Sequence, residues 1–171
     1  GFEGTLGADF IDYIVTDQTC IPKEFQKYYT EKPIYLPDSY MVTNNDREVA
    51  TRAMCRSEFG LPENGFVFCG FNKFSKITPS LFDVWARVLD RVPNSVLWLS
   101  EPREQCEKNL REEALKRGLD PSKIIFAKKV SLTEHWARIK LADLYLDTFD
   151  MNAHASAVDA LWAGLPIVTK S

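Results

Sequence analysis

A chain of 171 residues, 45% hydrophobic and 26% charged, has the composition of a folded globular protein, long enough to bury one sizeable core. Its formal net charge of −3 excludes a general attraction to nucleic acid or to an anionic membrane, so any polyanion has to be held by a local cluster. Cys20, Cys55, Cys69 and Cys106 make no C-x-x-C pair, there are only two histidines, and neither a secretion leader nor a membrane-spanning run is present; reduced thiols, no metal site and a cytoplasmic location are expected.

In chain order, residues 1–45 offer a strand, FIDYIVTD, a short helix, IPKEFQKYY, and a second strand, PIYLPD. That is too little surface for an independent core. They read as the tail of a preceding lobe, with the polar VTNNDRE as the crossing point and the boundary near Asn45. The chain begins at Gly1 without Met and stops at Ser171 just after a strand-like run, so it is expected to be a piece of something longer.

Residues 46–171 alternate regularly. DREVATRAMCRSEFG is predicted helical up to Gly60, LPENG turns, and FVFCGF is a compact apolar strand. Thr78 and Pro79 read as N-cap and first-position proline of the helix SLFDVWARVLDRV, whose Leu81, Val84, Trp85, Val88 and Leu89 recur at helical spacing. Strand SVLWLS follows, then a charged helix from about Arg103 to Arg117 closed by Gly118, and strand KIIFA after the Asp120-Pro121 turn. Ser131 and Glu134 form a capping box for a helix to about Lys140, with Leu132, Trp136 and Ile139 as its apolar stripe. Strand DLYLDT, the helix opened by NAHASAVDALWAG and the run PIVTK complete the series. Strands separated by helices imply right-handed crossovers and an α/β class: a Rossmann-like parallel sheet flanked by helices, with ligands at the carboxyl ends of the strands.

At that edge several residues carry chemistry. His154, Ala155 and Ser156 precede or open a helix, where free N–H groups and the positive dipole end favour a phosphate, and the small Ala153, Ala155 and Ala157 let a ligand approach the backbone. Asp159 would repel a phosphate but accept from ribose hydroxyls; read otherwise, Ser156 and Asp159 are a cap and a dipole-matching acid. Lys76, in the loop after FVFCGF, either neutralises a diphosphate or is solvated. His135 can stack on a base, while Arg138 either reaches a phosphate or pairs with Glu134 on the helix surface. In DTFD, Asp147 ends a strand and two residues separate it from Asp150, so no metal is assigned.

Together, the blocks GFEGTLGADFIDYIVTDQTCIPKEF, FNKFSKITPSLFDVWARVLDRVPNSVLWL, IIFAKKVSLTEHWARIKLADLYLDT and NAHASAVDALWAGLPIVT resemble, in order, the catalytic region of the O-GlcNAc transferase family. The resemblance implies the nucleotide-binding C-terminal lobe of a GT-B glycosyltransferase with the tail of the N-terminal lobe. It also implies UDP-GlcNAc as donor, inverting transfer to Ser/Thr of intracellular proteins, no required metal, no cofactor, no nucleic-acid or membrane partner, and tetratricopeptide repeats elsewhere in the parent protein. Lys76 matches the lysine that stabilises the departing diphosphate and His135 the histidine that packs on the uridine. Val130 falls where a backbone group meets the uracil, Arg138 matches an arginine of the nucleotide site and Asp159 the ribose-binding acid. His154, Ala155 and Ser156 match the His-Thr-Thr segment that holds the phosphates.

This chain departs from the family at Ala155, at Leu132 in place of a lysine, and at Lys73 and Ser75 in place of glutamine and tyrosine, Lys73 being a candidate substitute for the charge missing at 132. At the front Glu3 stands for a proline and Leu6 for a serine. The resemblance further implies that the general base belongs to the other lobe, so these 171 residues alone are expected to be inactive. The alternatives are a protein glycosyltransferase using GDP-fucose or UDP-glucose, or a non-catalytic nucleotide-binding scaffold.

Overall fold

The computed structural model describes residues 4–170; the expected departure at Glu3 lies outside them. By internal contact the chain divides into a unit ending at Asp46 and a unit beginning at Arg47. The first holds two short parallel strands, β1 (Tyr13–Thr16) and β2 (Lys32–Tyr35), in the register Tyr13 to Lys32. The helix expected between them is a short 3-10 helix, Lys23–Tyr28, with no buried residue. Two buried acids fasten its loops. Asp17 accepts from the Thr19, Cys20 and Tyr40 amides, and Glu31 from the Thr5 hydroxyl and the Leu6 amide. The bonds from Cys20 and Tyr40 hold the Asp17 carboxyl below its ordinary pKa.

The second unit is a five-stranded, wholly parallel sheet. Its strands are β3 (Phe66–Gly70), β4 (Ser95–Ser100), β5 (Ile124–Ala127), β6 (Leu144–Leu146) and β7 (Ile167–Val168), in the order β5-β4-β3-β6-β7. Helices α1 (Pro79–Arg91), α2 (Glu104–Lys116), α3 (Leu132–Ile139) and α4 (Ala155–Trp162) make the crossovers. The period-two alternation of the strands sends Phe68, Leu97 and Leu99 into one core with Leu81, Trp85 and Leu89 of α1 and Leu110 and Ala114 of α2. Val67, Cys69, Trp98 and Tyr145 enter the opposite core, against Ile139 of α3 and Ala160 of α4. Both faces are covered, as a parallel sheet requires.

The caps are local and follow the sequence. Thr78 accepts from the Leu81 amide to start α1. Ser131 and Glu134 exchange capping-box bonds at α3. Gly118, at φ 70°, turns the chain after α2, with the Leu119 amide closing back on the Ala114 carbonyl.

One expected element is absent. The helix read over 46–60 is an irregular strap ending in a 3-10 turn, Arg56–Phe59. Its side chains and amides are engaged elsewhere: Arg47 pairs with Asp159, the Ala50 amide donates to the Thr133 carbonyl, and Arg52 binds Glu58. Arg56 binds the Leu141 and Gly65 carbonyls and Asp143. These contacts override an adequate helical propensity. Leu132 likewise leaves the expected apolar stripe: it is 59% exposed, in the first turn of α3, while Trp136 and Ile139 face inward.

Candidate functional site

The strand order reverses direction at β3, whose neighbours are β4 on one side and β6 on the other. In an open parallel sheet this is the point where crossovers leave to opposite faces and a crevice opens beyond the carboxyl ends. Here the chain leaving β3 runs through Asn72 to Lys76, and the chain leaving β6 runs through Asp147 to α4. Side chains bridge the two segments. Lys76 Nζ donates to the Asn152 carbonyl at 2.9 Å and lies 3.4 Å from Asn72 Oδ1, which also accepts from Ser156 Oγ at 3.1 Å. Asn72 is buried at 7% exposure, and its Nδ2 has no acceptor among the described residues. Since an ammonium can only donate, the Asn72 oxygen must face it, which fixes the amide orientation.

The loop behind this network is rigidly held. Asp147 accepts from the Thr148 and Ala153 amides with one oxygen and from Asn152 Nδ2 and Thr169 Oγ1 with the other, so its carboxylate pins the 147–153 turn. His154 occupies the cap position of α4 but supplies no side-chain acceptor, unlike Thr78 at α1 and Ser131 at α3. Among the described residues the Ala155 and Ser156 amides, the first two of the helix, have no acceptor, while the Ala157 amide closes on the His154 carbonyl; they stand near the Lys76 ammonium, which Asn72 links to Ser156. Open N–H groups, the helix dipole and a cation together suit an anionic oxygen ligand.

On the other side of β3, Val130, His135 and Arg138 line an open groove of about 350 Å³ with Ser100, Glu101, Ala127, Lys129 and Leu132. A second groove of about 670 Å³, with Asn72, Lys73 and Ser75 in its wall, shares Ser100 and Glu101 with the first. The two form one band along the carboxyl edge. His135 packs edge-on against Phe71, centroids 5.1 Å apart.

Arg138 is not the surface partner of Glu134. It is 4% exposed and donates to the Lys128 carbonyl and to His135 Nδ1, lying over Phe71 and Trp98, while Glu134 serves the capping box. A guanidinium cannot accept, so Nδ1 of His135 is the acceptor and the neutral ring carries its proton on Nε2. Burial, then the Arg138 charge, holds the His135 pKa below its ordinary value, with Asp159 opposing.

Asp159, in the second turn of α4, is paired through Oδ1 with Arg47 Nη1 at 2.6 Å. The residues expected from sequence thus fall into three neighbouring groups: Lys76 with Ser156 and the start of α4, Val130 with His135 and Arg138, and Asp159 with an arginine. Lys73 is exposed where its turn begins and enters no ion pair among the described residues; only its carbonyl is used, by the Lys76 amide. Sequence reading missed Asn72 and Arg47. Asn72 carried one usable signal, a polar residue just past the end of an apolar strand; Arg47 carried none, because it looked like one charge of a helix.

The glycosyl transferase family 41 model matches residues 1–53 and 43–171. The probable UDP-N-acetylglucosamine–peptide N-acetylglucosaminyltransferase SEC of Arabidopsis thaliana is 40% identical over 174 residues, 99% of this chain and 18% of the relative. The UDP-N-acetylglucosamine–peptide N-acetylglucosaminyltransferase of Caenorhabditis elegans is 44% identical over 114 residues, 67% of this chain and 10% of the relative. The solved structure of a mutant O-GlcNAc transferase from Thermobaculum terrenum superposes with a TM-score of 0.74 at 26% identity, over 92% of this chain and 30% of that one. The chain therefore spans less than a fifth of the curated relatives it matches.

Proposed function

Because the chain belongs to glycosyl transferase family 41, we propose that it forms the donor-binding part of a transferase that moves N-acetylglucosamine from UDP to Ser/Thr hydroxyls of cytoplasmic proteins. The observation that carries this reading is the bridge across the switch point, where Lys76, Asn72 and Ser156 converge on the start of α4. In the proposed reaction the acceptor oxygen attacks the anomeric carbon from the face opposite the diphosphate. The electron pair of the breaking sugar–oxygen bond goes to the β-phosphate, and the hydroxyl proton goes to a base supplied by the rest of the protein. Lys76 and the α4 amides meet the charge that grows on the leaving group, so that no metal is required for this role. His135 lies against the base, with Val130 beside it, and Asp159 accepts from the ribose.

Calorimetry on the full-length protein tests the nucleotide. UDP is expected to bind in preference to GDP, and at about 100 times its dissociation constant to stabilise the fold by about 2.7 kcal/mol. Transfer assays test the sugar: UDP-GlcNAc is expected to serve as donor. Transfer from GDP-fucose with none from UDP-GlcNAc would overturn the assignment, and transfer from UDP-glucose alone would keep the nucleotide and discard the sugar.

A further inference from the structure

A carboxylate beside a diphosphate site is an electrostatic liability. Asp159 stands three residues after Ser156 on α4, and residues at that spacing are neighbours on a helix face. Left unpaired, its charge opposes the same phosphate oxygens that the start of the helix and Lys76 attract.

The structure answers with a built-in counter-charge. The Arg47 side chain is 8% exposed, its Nη1 is 2.6 Å from Asp159 Oδ1, and its guanidinium carbon lies 4.9 Å from the ring centroid of Trp136 on α3 and 5.2 Å from that of Trp162 on α4. An exposed ion pair contributes almost nothing, but this cation is stripped of water and held over two indole faces, where its charge is screened little and its position is fixed. A guanidinium suits the place because it is planar and weakly hydrated. The bond engages Oδ1 and leaves Oδ2 for a ligand hydroxyl.

We propose that Arg47 is a nucleotide-positioning residue. Its charge cancels that of Asp159, so that one acid can serve the ribose without expelling the diphosphate. The inference rests on the reading of this edge as a nucleoside-diphosphate site. It predicts a signature that a mere clamp between α3 and α4 does not have: the effect of losing Arg47 depends on the ligand's phosphates and on the presence of the Asp159 charge.

The test is a cycle of Arg47→Gln, Asp159→Asn and the double variant in the full-length protein, titrated with UDP and with uridine. Gln keeps a donor and loses the charge. Arg47→Gln is expected to weaken UDP about tenfold and uridine by no more than about twofold. In the double variant UDP affinity returns to within about twofold of Asp159→Asn alone, since the unpaired carboxylate is gone. Arg47→Lys, which keeps the charge that Gln removes, retains the preference for UDP over uridine.

Equal losses of UDP and uridine without relief by Asp159→Asn would overturn the proposal and leave Arg47 a helix clamp. Tighter UDP binding by Arg47→Gln would overturn it in the other direction, making Arg47 a competitor for Asp159. Absence of UDP binding by the unaltered protein refutes the nucleotide reading itself, a result distinct from either.

Discussion

Lys76→Met removes one ammonium and keeps an unbranched stem of similar length, which makes it the sharpest probe of the switch-point bridge. Nζ donates to two neutral oxygens, the Asn152 carbonyl at 2.9 Å and Asn72 Oδ1 at 3.4 Å. Of its three N–H groups one remains for a ligand, and its charge is not neutralised by either anchor. A nucleotide sugar is already anionic before reaction, so most of the attraction to Lys76 is felt equally in the ground state and leaves turnover unchanged. What counts is the further charge, up to about one unit, that the diphosphate gains as the sugar departs. At about 4 Å and an effective dielectric of about 20 that increment is worth about 4 kcal/mol if fully developed. Partial development brings it to about 2.7–4 kcal/mol, the range for losing one preorganised donor, or about 10²- to 10³-fold in kcat. Steady-state transfer by the full-length enzyme gives kcat, and calorimetry gives UDP affinity, expected to fall by less than about tenfold. An unchanged kcat, or a loss confined to KM, refutes a transition-state role for Lys76.

Two further outcomes follow from titrating groups. Replacing Arg138 with Met removes a positive charge that helps hold His135 below its ordinary pKa of 6.5, so the His135 pKa rises in the variant; imidazole NMR reads it, and an unmoved titration would place the cause in burial alone. In the unaltered protein the sign is that of a depressed group: the contribution of His135 to stability is present above pH 6.5 and lost as pH falls through the lowered pKa. Glu31 is lowered from 4.5 to about 2, mainly by the Thr5 hydroxyl, so its contribution is present above pH 4.5 and lost as pH falls through about 2. Glu31→Ala should remove that acid-dependent step and the neutral-pH protection of the Leu6 amide, which donates to Glu31 at 2.7 Å; an identical acid profile in the variant argues against the assignment.

What the sequence made legible was whatever a short window contains. The Thr78-Pro79 start of α1, the Ser131-Glu134 box and the Gly118 turn each close within a few residues, and each appears where local chemistry puts it. The two-faced apolar alternation of FVFCG and SVLWLS likewise fixed buried parallel strands. The strap over 46–60 failed for the complementary reason. Its arginines look like the polar face of a helix, and nothing within fifteen or so residues reveals that Arg56 closes on Asp143 and Leu141 across the amino end of the sheet. Propensity is a weak prior against several long-range bonds of this kind.

The candidate site divides along the same line. Residues named for their position on an element stand where the sequence puts them because the element was legible: Lys76 after β3, His135 on α3, and His154 to Asp159 at α4. Residues that act by pairing across the fold were not legible. Asn72 meets Ser156 over a separation of 84 residues, and Arg47 meets Asp159 over 112. Arg138 shows a third case, in which the surroundings differ from those read in the sequence: burial beneath His135 turns a surface helix charge into the acceptor-less neighbour that sets the histidine tautomer. Sequence-local reading therefore places candidate groups at the carboxyl edge better than it reveals the groups that pair with them. Since Asp159 without Arg47 and Lys76 without Asn72 would present their charges unbalanced or unaimed, the residues that only the fold reveals are the ones on which the chemistry of the legible ones depends.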